Sequence, residues 1–347
     1  MGPGSSTRTR RLCMLPRLAG VGGMVTFQEK MRASLVRRGV EVCFSLDDHP
    51  YDAVLVVGGT RQLGGLWAAR RRGVPVVQRL DGMNWIQRKR STGLRHFLRA
   101  ELGNLLLVTI RNRLASGIVY QSEFARDWWE RVHGEASVPA HIVLNGVDLD
   151  LYSPHGAGSP PFDHDRMLVV EGTLGGGYEI GLQHALQLAG RIQDLRERKL
   201  ELMIVGRAAK SLREESERAS RIEINWRGQV QSTEIPEIDR SAHFLYAADL
   251  HPACPNAVIE AMACGTPVVG FDTGALNEIV VDSAGELVPY GGDPWNLDPP
   301  DISGLAWAAQ KVLDHQRIYR TSARSRAEAE FGLERMLAGY LTALEWI

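Results

Sequence analysis

The sequence predicts an α/β protein built from two doubly wound parallel-sheet domains. Three observations carry that prediction. The chain is 347 residues long, more than one compact domain usually holds. Short apolar runs of strand length alternate with helix-length segments, the pattern of repeated βα units. The alternation breaks at Ser153–Asp165, SPHGAGSPPFDHD, whose proline, glycine and serine content marks a linker, and then restarts. The domains are therefore expected at 1–152 and 166–328, with the linker at 153–165 and a closing segment at 329–347.

Composition bounds the function class. Hydrophobic residues make up 44% and charged residues 23%, ordinary values for a globular protein, and the net charge of −1 gives no bulk attraction to nucleic acid. The cysteines, Cys13, Cys43, Cys254 and Cys264, form no C-x-x-C pair, so neither a zinc site nor a disulfide framework is indicated, and reduced thiols point to a cytoplasmic location. No apolar run reaches transmembrane length, and the opening MGPGSSTRTRR lacks the apolar core of a secretory signal.

In the first half, Leu12–Leu15 reads as a short strand. Gly20, Gly22 and Gly23 form a glycine-rich turn, and a helix runs from about Thr26 to Arg38. Strands follow at Val40–Leu46 and Ala53–Val57, then a helix to Arg72, then strands at Val74–Leu80, Ile118–Gln121 and His141–Leu144. Doubly wound sheets bind ligands beyond the carboxyl ends of their strands. Gly22 and Gly23 lie at such an end, where glycine serves either a ligand or the tight bend alone. Asp81, in QRLDGMNW, also ends a strand; it is either a polar group facing a ligand or a turn aspartate before Gly82. Asn145-Gly146 is a turn signal that closes this half.

The section from Arg61 to Arg131 holds fourteen cations and five anions, an excess of nine positive charges in a chain of net −1. Around Leu94–Leu107 the arginines are interleaved with Leu94, Phe97, Leu98, Leu102, Leu105, Leu106 and Leu107. A basic amphipathic helix of this kind can lie on an anionic membrane surface, pack with a solvated arginine face, or face an anionic acceptor. Nucleic acid is not expected, because no recognisable binding module accompanies the charge.

The second half restarts with a strand at Met167–Val170 and a glycine-rich loop at Gly172–Gly177. A helix covers about Ile180–Leu195, and strands at Leu200–Val205 and Ile222–Trp226 end at Gly206-Arg207 and Arg227-Gly228. Gly175, Gly176 and Gly177 could offer backbone N–H groups as an anion nest. The stretch Ser241–Val281 then reads as strand (His243–Leu250), loop (His251–Pro255), helix (Ala257–Cys264, capped by Asn256 and ended by Gly265) and buried strand (Thr266–Phe271). Glu260 is its anomaly, a carboxylate among Ala257, Val258, Ile259, Ala261, Met262 and Ala263. Ile302–Leu313 is amphipathic, and a last helix starts at Phe331-Gly332-Leu333.

PNAVIEAMACGTPVVGFDTGALNEIV, together with VLNGVD before the linker, resembles the retaining glycosyltransferases of family 4. The resemblance implies the GT-B architecture: two Rossmann-like domains facing a cleft, with the last helix, 329–347, crossing back to the first domain. It implies transfer of a sugar from a nucleotide diphosphate sugar to an acceptor hydroxyl with retention, and neither metal nor cofactor. Glu260 inherits the role of accepting hydrogen bonds from the ribose hydroxyls. Pro255, Asn256, Ala257 and Val258 fall at the phosphate and sugar contacts, and Gly22 and Gly23 in the glycine loop facing the diphosphate. Asp81 stands as the candidate catalytic group beside the donor sugar, although the family often has a histidine near here. The chain departs from the pattern elsewhere too. The family's arginine and lysine that grip the diphosphate are replaced by Thr173 and Ile180, and the loop before Glu260 lacks a second glutamate. Gly175–Gly177, Arg207 and Gly228 are the candidate substitutes, with Glu171 and Glu179 opposing a doubly charged ligand. The departures keep two other readings open, a non-catalytic nucleotide-sugar-binding or partner protein and a GT-B sugar-nucleotide epimerase. The acceptor is a hydroxyl of a saccharide, a lipid-linked glycan or a small molecule, and the basic section allows contact with the inner face of a membrane.

Overall fold

The computed structural model of the chain describes residues 9–20, 22–175 and 179–346. They form two compact units. The first comprises Met1–Met83, Arg99–Leu144 and Leu333–Ile347, the second Asn84–Leu98 and Asn145–Gly332.

The strands of the first unit are β1 (Arg11–Leu15), β2 (Glu41–Cys43), β3 (Ala53–Val57), β4 (Val76–Leu80), β5 (Gly117–Tyr120) and β6 (Ala140–Ile142). They pair in parallel in the order β2-β1-β3-β4-β5-β6. Between them run α1 (Gly23–Arg37), α2 (Leu63–Arg71), α3 (Leu94–Thr109, in this unit from Arg99 onward) and α4 (Glu123–His133). Successive residues of a strand point to opposite faces, and β1 shows the consequence. Leu12 and Met14 join a layer with Phe27 and Met31 of α1, while Cys13 and Leu15 join one with Leu66 and Ala69 of α2. β3 and β4 are buried at every position, as central parallel strands covered on both faces are. α4 begins where the Ser122 hydroxyl accepts the Ala125 N–H at 3.0 Å.

The second unit repeats the plan with β7 (Asp165–Thr173), β8 (Leu200–Arg207), β9 (Glu223–Gly228), β10 (Phe244–Tyr246), β11 (Val268–Phe271) and β12 (Gly285–Val288), ordered β12-β11-β10-β7-β8-β9. Its helices are α5 (Glu179–Leu195), α6 (Lys210–Ala219), α7 (Ile235–Arg240), α8 (Asn256–Ala263), α9 (Leu276–Ile279), α10 (Ile302–Asp314) and α11 (Gln316–Glu330). From β7 the chain moves outward through β8 and β9, then returns to β10 and moves the other way. The direction of winding therefore switches between β7 and β10. Ser153–Asp165, read as a linker, lies inside this unit. Arg324 of α11 donates to the carbonyls of Leu149 and Tyr152 there and to that of Ala263 at the end of α8.

The chain closes on α12 (Leu333–Ala343), which belongs to the first unit. Met336, Leu337 and Tyr340 pack with Leu12, Phe27, Leu55 and Val119, and the Tyr340 and Phe27 rings lie 5.1 Å apart. Each fully buried apolar side chain of this size contributes about 1.5–3 kcal/mol, so the returning helix completes the first core rather than decorating it. The GT-B expectation for the last helix holds. All four cysteines are buried and unbridged. No helix among the described residues is long and apolar enough to cross a membrane.

Three local expectations need correction. Asn256 is the first residue of α8 rather than its cap; the chain enters the helix through Pro255 at the cap position (φ −73°, ψ 117°), and no side chain caps it. The glycine-rich loop begins later than Gly172, because β7 continues through Thr173 across a bulge after Val170. Glycine at a strand end marks a bulge as readily as a turn. The strand expected over His243–Leu250 is only Phe244–Tyr246. Asp249 instead accepts the His251 N–H at 3.1 Å, which turns the chain out of the sheet.

Candidate functional site

A cavity of about 460 Å³ opens at the carboxyl ends of β7 and β10, within the second unit. This is the switch point of the sheet, where the flanking connections diverge and leave a crevice. Glu171 and Thr173 of β7 line it, with Leu174 and Gly175 after the strand, Ile180 in the first turn of α5, and Ala248, Asp249 and Leu250 after β10. The remaining lining is Trp85, Ile86 and His96. Its volume is in the range of small-molecule sites. Close backbone approaches build it. A Cβ on Gly181 would lie 2.3 Å from the Ala248 carbonyl oxygen, so only glycine lets α5 start beside the end of β10. Gly206 (φ 141°) would place a Cβ 2.1 Å from the Glu171 carbonyl oxygen, so the same holds where β8 passes β7.

Trp85 is fixed by a small aromatic stack. His251 lies face to face with Trp295 at 3.5 Å and 13°, and Trp85 meets them edge-on at 4.8 and 5.3 Å. Burial holds the His251 imidazole down at about 4, so the ring is neutral at physiological pH. Beside the stack Lys89 Nζ donates to Asn296 Oδ1 at 2.7 Å, and Arg90 pairs with Glu179 at 3.8 Å.

The cavity is acidic on one side. Glu171 is half-buried and Asp249 is exposed, and both line the cavity. Desolvation by the surrounding protein, then the charge of Asp249, pushes Glu171 up to about 8. Burial raises Asp249 as well, opposed by the backbone N–H groups of His251 and Leu250. Glu171 is therefore protonated at neutral pH. Its folded state holds a proton that the unfolded chain releases, so its contribution to stability is complete near pH 4.5 and falls as pH rises to about 8. Urea unfolding across that range should show wild type losing stability relative to Glu171→Gln, with little further divergence above. A constant difference between the two proteins would mean that Glu171 ionises normally.

α8 carries the second cluster. Glu260 is 8% exposed, surrounded by the buried residues Val258, Ile259, Ala261, Met262 and Ala263. Its charge is felt by two buried neighbours. Asp239 is raised well above the carboxylate range by burial first and Glu260 second, with Arg240 acting the other way. The Tyr152 hydroxyl is raised by burial and then by Glu260. A protonated Asp239 lets α7 and α8 pack with a single negative charge between them. The loop before α8 is fastened by the buried Asn145, whose Nδ2 donates to the Cys254 carbonyl at 2.8 Å and whose N–H meets Cys254 Sγ at 3.2 Å. That anchoring is the structural role of the N-G-V-D segment.

The residues singled out from sequence fall into separate places. Gly175 and Thr173 line the cavity, and Gly176 and Gly177 lie outside the described residues. Arg207 ends β8 opposite Thr173 in register and is exposed, its Nη2 donating to Thr173 Oγ1 at 3.4 Å. Gly228 (φ 67°) ends β9. Pro255, Asn256 and Ala257 are half-buried and Val258 is buried; with Glu260 they form the α8 cluster, and none of them lines the cavity. In the first unit Gly22 (φ 146°) precedes α1 and Gly23 begins it. Asp81 there accepts the Trp129 indole N–H through its backbone carbonyl at 2.7 Å. Burial raises its carboxyl, opposed by Arg79. Sequence reading missed Asp249, Trp85 and His96. Asp249 had a signal, an acid just beyond an apolar strand in a doubly wound sheet, whereas Trp85 and His96 come from a distant segment and had none. Among the described residues no group of three or more His, Cys, Asp or Glu is arranged to hold a metal.

The family of glycosyl transferases group 1 matches residues 166–315, which include α8 and the cavity lining other than Trp85, Ile86 and His96. A D-inositol 3-phosphate glycosyltransferase of Xylanimonas cellulosilytica is 28% identical over 239 residues, covering 61% of this chain and 52% of that protein. The alignment thus spans about half of that relative's length. Among solved structures, WaaG, a glycosyltransferase involved in lipopolysaccharide biosynthesis, superposes with a TM-score of 0.71 at 14% identity, covering 96% of this chain and 99% of WaaG. Anabaena Alr3699/HepE, solved in complex with UDP and glucose, gives 0.69 at 16% identity, covering 97% and 100%. At such identities the superpositions establish the fold, which is GT-B. Over residues 166–315 the chain is similar to the glycosyl transferases group 1.

Proposed function

We propose that the protein transfers a sugar from a nucleotide diphosphate sugar to an acceptor hydroxyl, with retention at the anomeric carbon and without a metal. The observation that carries this reading is the buried Glu260 on α8, inside the segment that matches the family. A carboxylate held there can accept both ribose hydroxyls at once through charge-assisted hydrogen bonds. The N–H groups of Asn256, Ala257 and Val258 open α8 and favour phosphate, as do the backbone of Gly175 and the guanidinium of Arg207. Asp81, Gly22 and Gly23 keep the sugar- and diphosphate-facing roles that the family resemblance implies.

In the reaction, the bond from the anomeric carbon to the diphosphate oxygen breaks as the acceptor oxygen bonds to the same face. The acceptor proton passes to the departing phosphate oxygen. Positive charge builds on the sugar and negative charge on the diphosphate, so the protein's task is electrostatic. The acceptor is a saccharide, lipid-linked glycan or small-molecule hydroxyl, and the four reduced cysteines fit a cytoplasmic site of action. One observation favours a second reading, a nucleotide-sugar-binding protein without turnover: Asp249 lines the cavity beside Glu171, so a diphosphate there would meet an acidic wall in place of a cationic one. Thermal-shift screening against UDP, GDP, ADP and dTDP, followed by donor turnover with the base that binds, separates the two. UDP comes first because the Anabaena protein was solved with it.

A further inference from the structure

We propose that the cavity of the second unit takes a sugar with a free amino group, held as its ammonium between Glu171 and Asp249. The inference rests on the sugar-transfer reading for the kind of molecule and on the cavity lining for its charge. That lining belongs entirely to the second unit. Its polar side chains are Glu171, Asp249, Thr173 and His96, and among the described residues no lysine or arginine lines it. A pocket of this volume with two acids and an aromatic wall is suited to a small polar cation.

Neither carboxyl is used up by the fold. Asp249 accepts the N–H groups of Leu250 and of His251, the latter at 3.1 Å, and a carboxylate has lone pairs for more. Glu171 makes no hydrogen bond or ion pair among the described residues, and the neighbouring charge it feels is that of Asp249. The guanidiniums nearby are turned elsewhere: Arg90 pairs with Glu179 at 3.8 Å, and Arg207 reaches Thr173 Oγ1 at 3.4 Å. An ammonium group supplies the positive charge the two acids lack, and its three N–H donors suffice for both. With that cation in place both acids can ionise, whereas in its absence Glu171 is pushed up to about 8. Trp85, set edge-on against the His251 and Trp295 rings, adds an aromatic wall that suits a sugar ring and an ammonium alike. A divalent metal fits less well, since the described residues offer no group of three or more ligating side chains. The ligand thus carries charges of both signs, its phosphate at Arg207 and its ammonium at the carboxyls.

The test is titration of the full chain with D-glucosamine, D-glucose and N-acetyl-D-glucosamine near neutral pH, followed by saturation-transfer NMR. The proposal expects glucosamine to bind about tenfold or more tightly than either neutral sugar. It expects Asp249→Asn/Glu171→Gln to erase that preference. Both replacements keep the side-chain shape, and asparagine can still accept the His251 N–H; unchanged circular dichroism will show that the variant folds. The wild-type comparison stands by itself if it does not. Absence of glucosamine binding, equal binding of the three sugars, or a preference that survives in the folded double variant would overturn the proposal. Putrescine, an amine without a sugar ring, is the control for the rest of the molecule, and displacement by it as strong as by glucosamine would overturn the sugar assignment. These measurements need no turnover. Equal binding of the three sugars together with turnover of a neutral donor would sink the ammonium site and leave sugar transfer standing. A glucosamine preference without turnover of any donor would do the reverse.

Discussion

Replacing Arg207 by alanine is expected to lower donor turnover by about 10²–10³-fold. It should weaken a nucleoside diphosphate far more than the corresponding nucleoside. The expectation follows from the charges around the cavity. Asp249 and the protonated Glu171 line it, together with the uncharged Thr173 and Ile180. Arg207 ends β8 directly across from Thr173, and among the described residues its guanidinium makes a long hydrogen bond to a neutral hydroxyl at 3.4 Å. An exposed guanidinium so lightly held can turn to a phosphate at little cost. The nucleoside is the control, because it keeps any contact with Glu260 and lacks phosphate. Equal losses for both ligands would indicate a folding defect, and no loss for either would remove Arg207 from the site.

Glu260→Gln is the second large effect. The substitution preserves shape in a tightly packed helix and removes the charge. Hydrogen bonds to a charged group are worth about 1.5–3 kcal/mol. Nucleotide affinity measured by calorimetry should therefore fall by about tenfold or more. Circular dichroism and the unfolding midpoint will show whether the variant folds. Unchanged affinity in a folded variant would exclude Glu260 from nucleotide binding.

What was legible in the sequence was local. The βα alternation and the strand–loop–helix–strand run around Glu260 depend on periodicity and on Gly265, whose φ of 73° after α8 is the helix-ending conformation expected of it. Asn256 was misplaced by one position because the proline before it takes the cap conformation. The glycines after Val170 read as a loop, yet the ladder to β8 resumes at Thr173 beyond a bulge, and only the partner strand decides that. The cavity was the least legible part. Its carboxylates Glu171 and Asp249 are 78 positions apart by number and meet because β7 and β10 are neighbours in the sheet. Trp85 is fixed by His251 and Trp295, which no local pattern connects to it. For α3, the sequence supplied the mixture of leucine and arginine, while which of its leucines are buried depends on what the helix packs against.

The account's central claim is sugar transfer, and donor turnover tests it most directly. The protein should be incubated with UDP-, GDP-, ADP- and dTDP-sugars chosen by the diphosphate that shifts its melting, and the release of nucleoside diphosphate should be followed by mass spectrometry. The account predicts release from at least one donor, slowed by about 10²–10³-fold in Arg207→Ala, with retained anomeric configuration in any transferred product. Binding of a diphosphate without release from any of its sugars would contradict it and leave a nucleotide-sugar-binding protein.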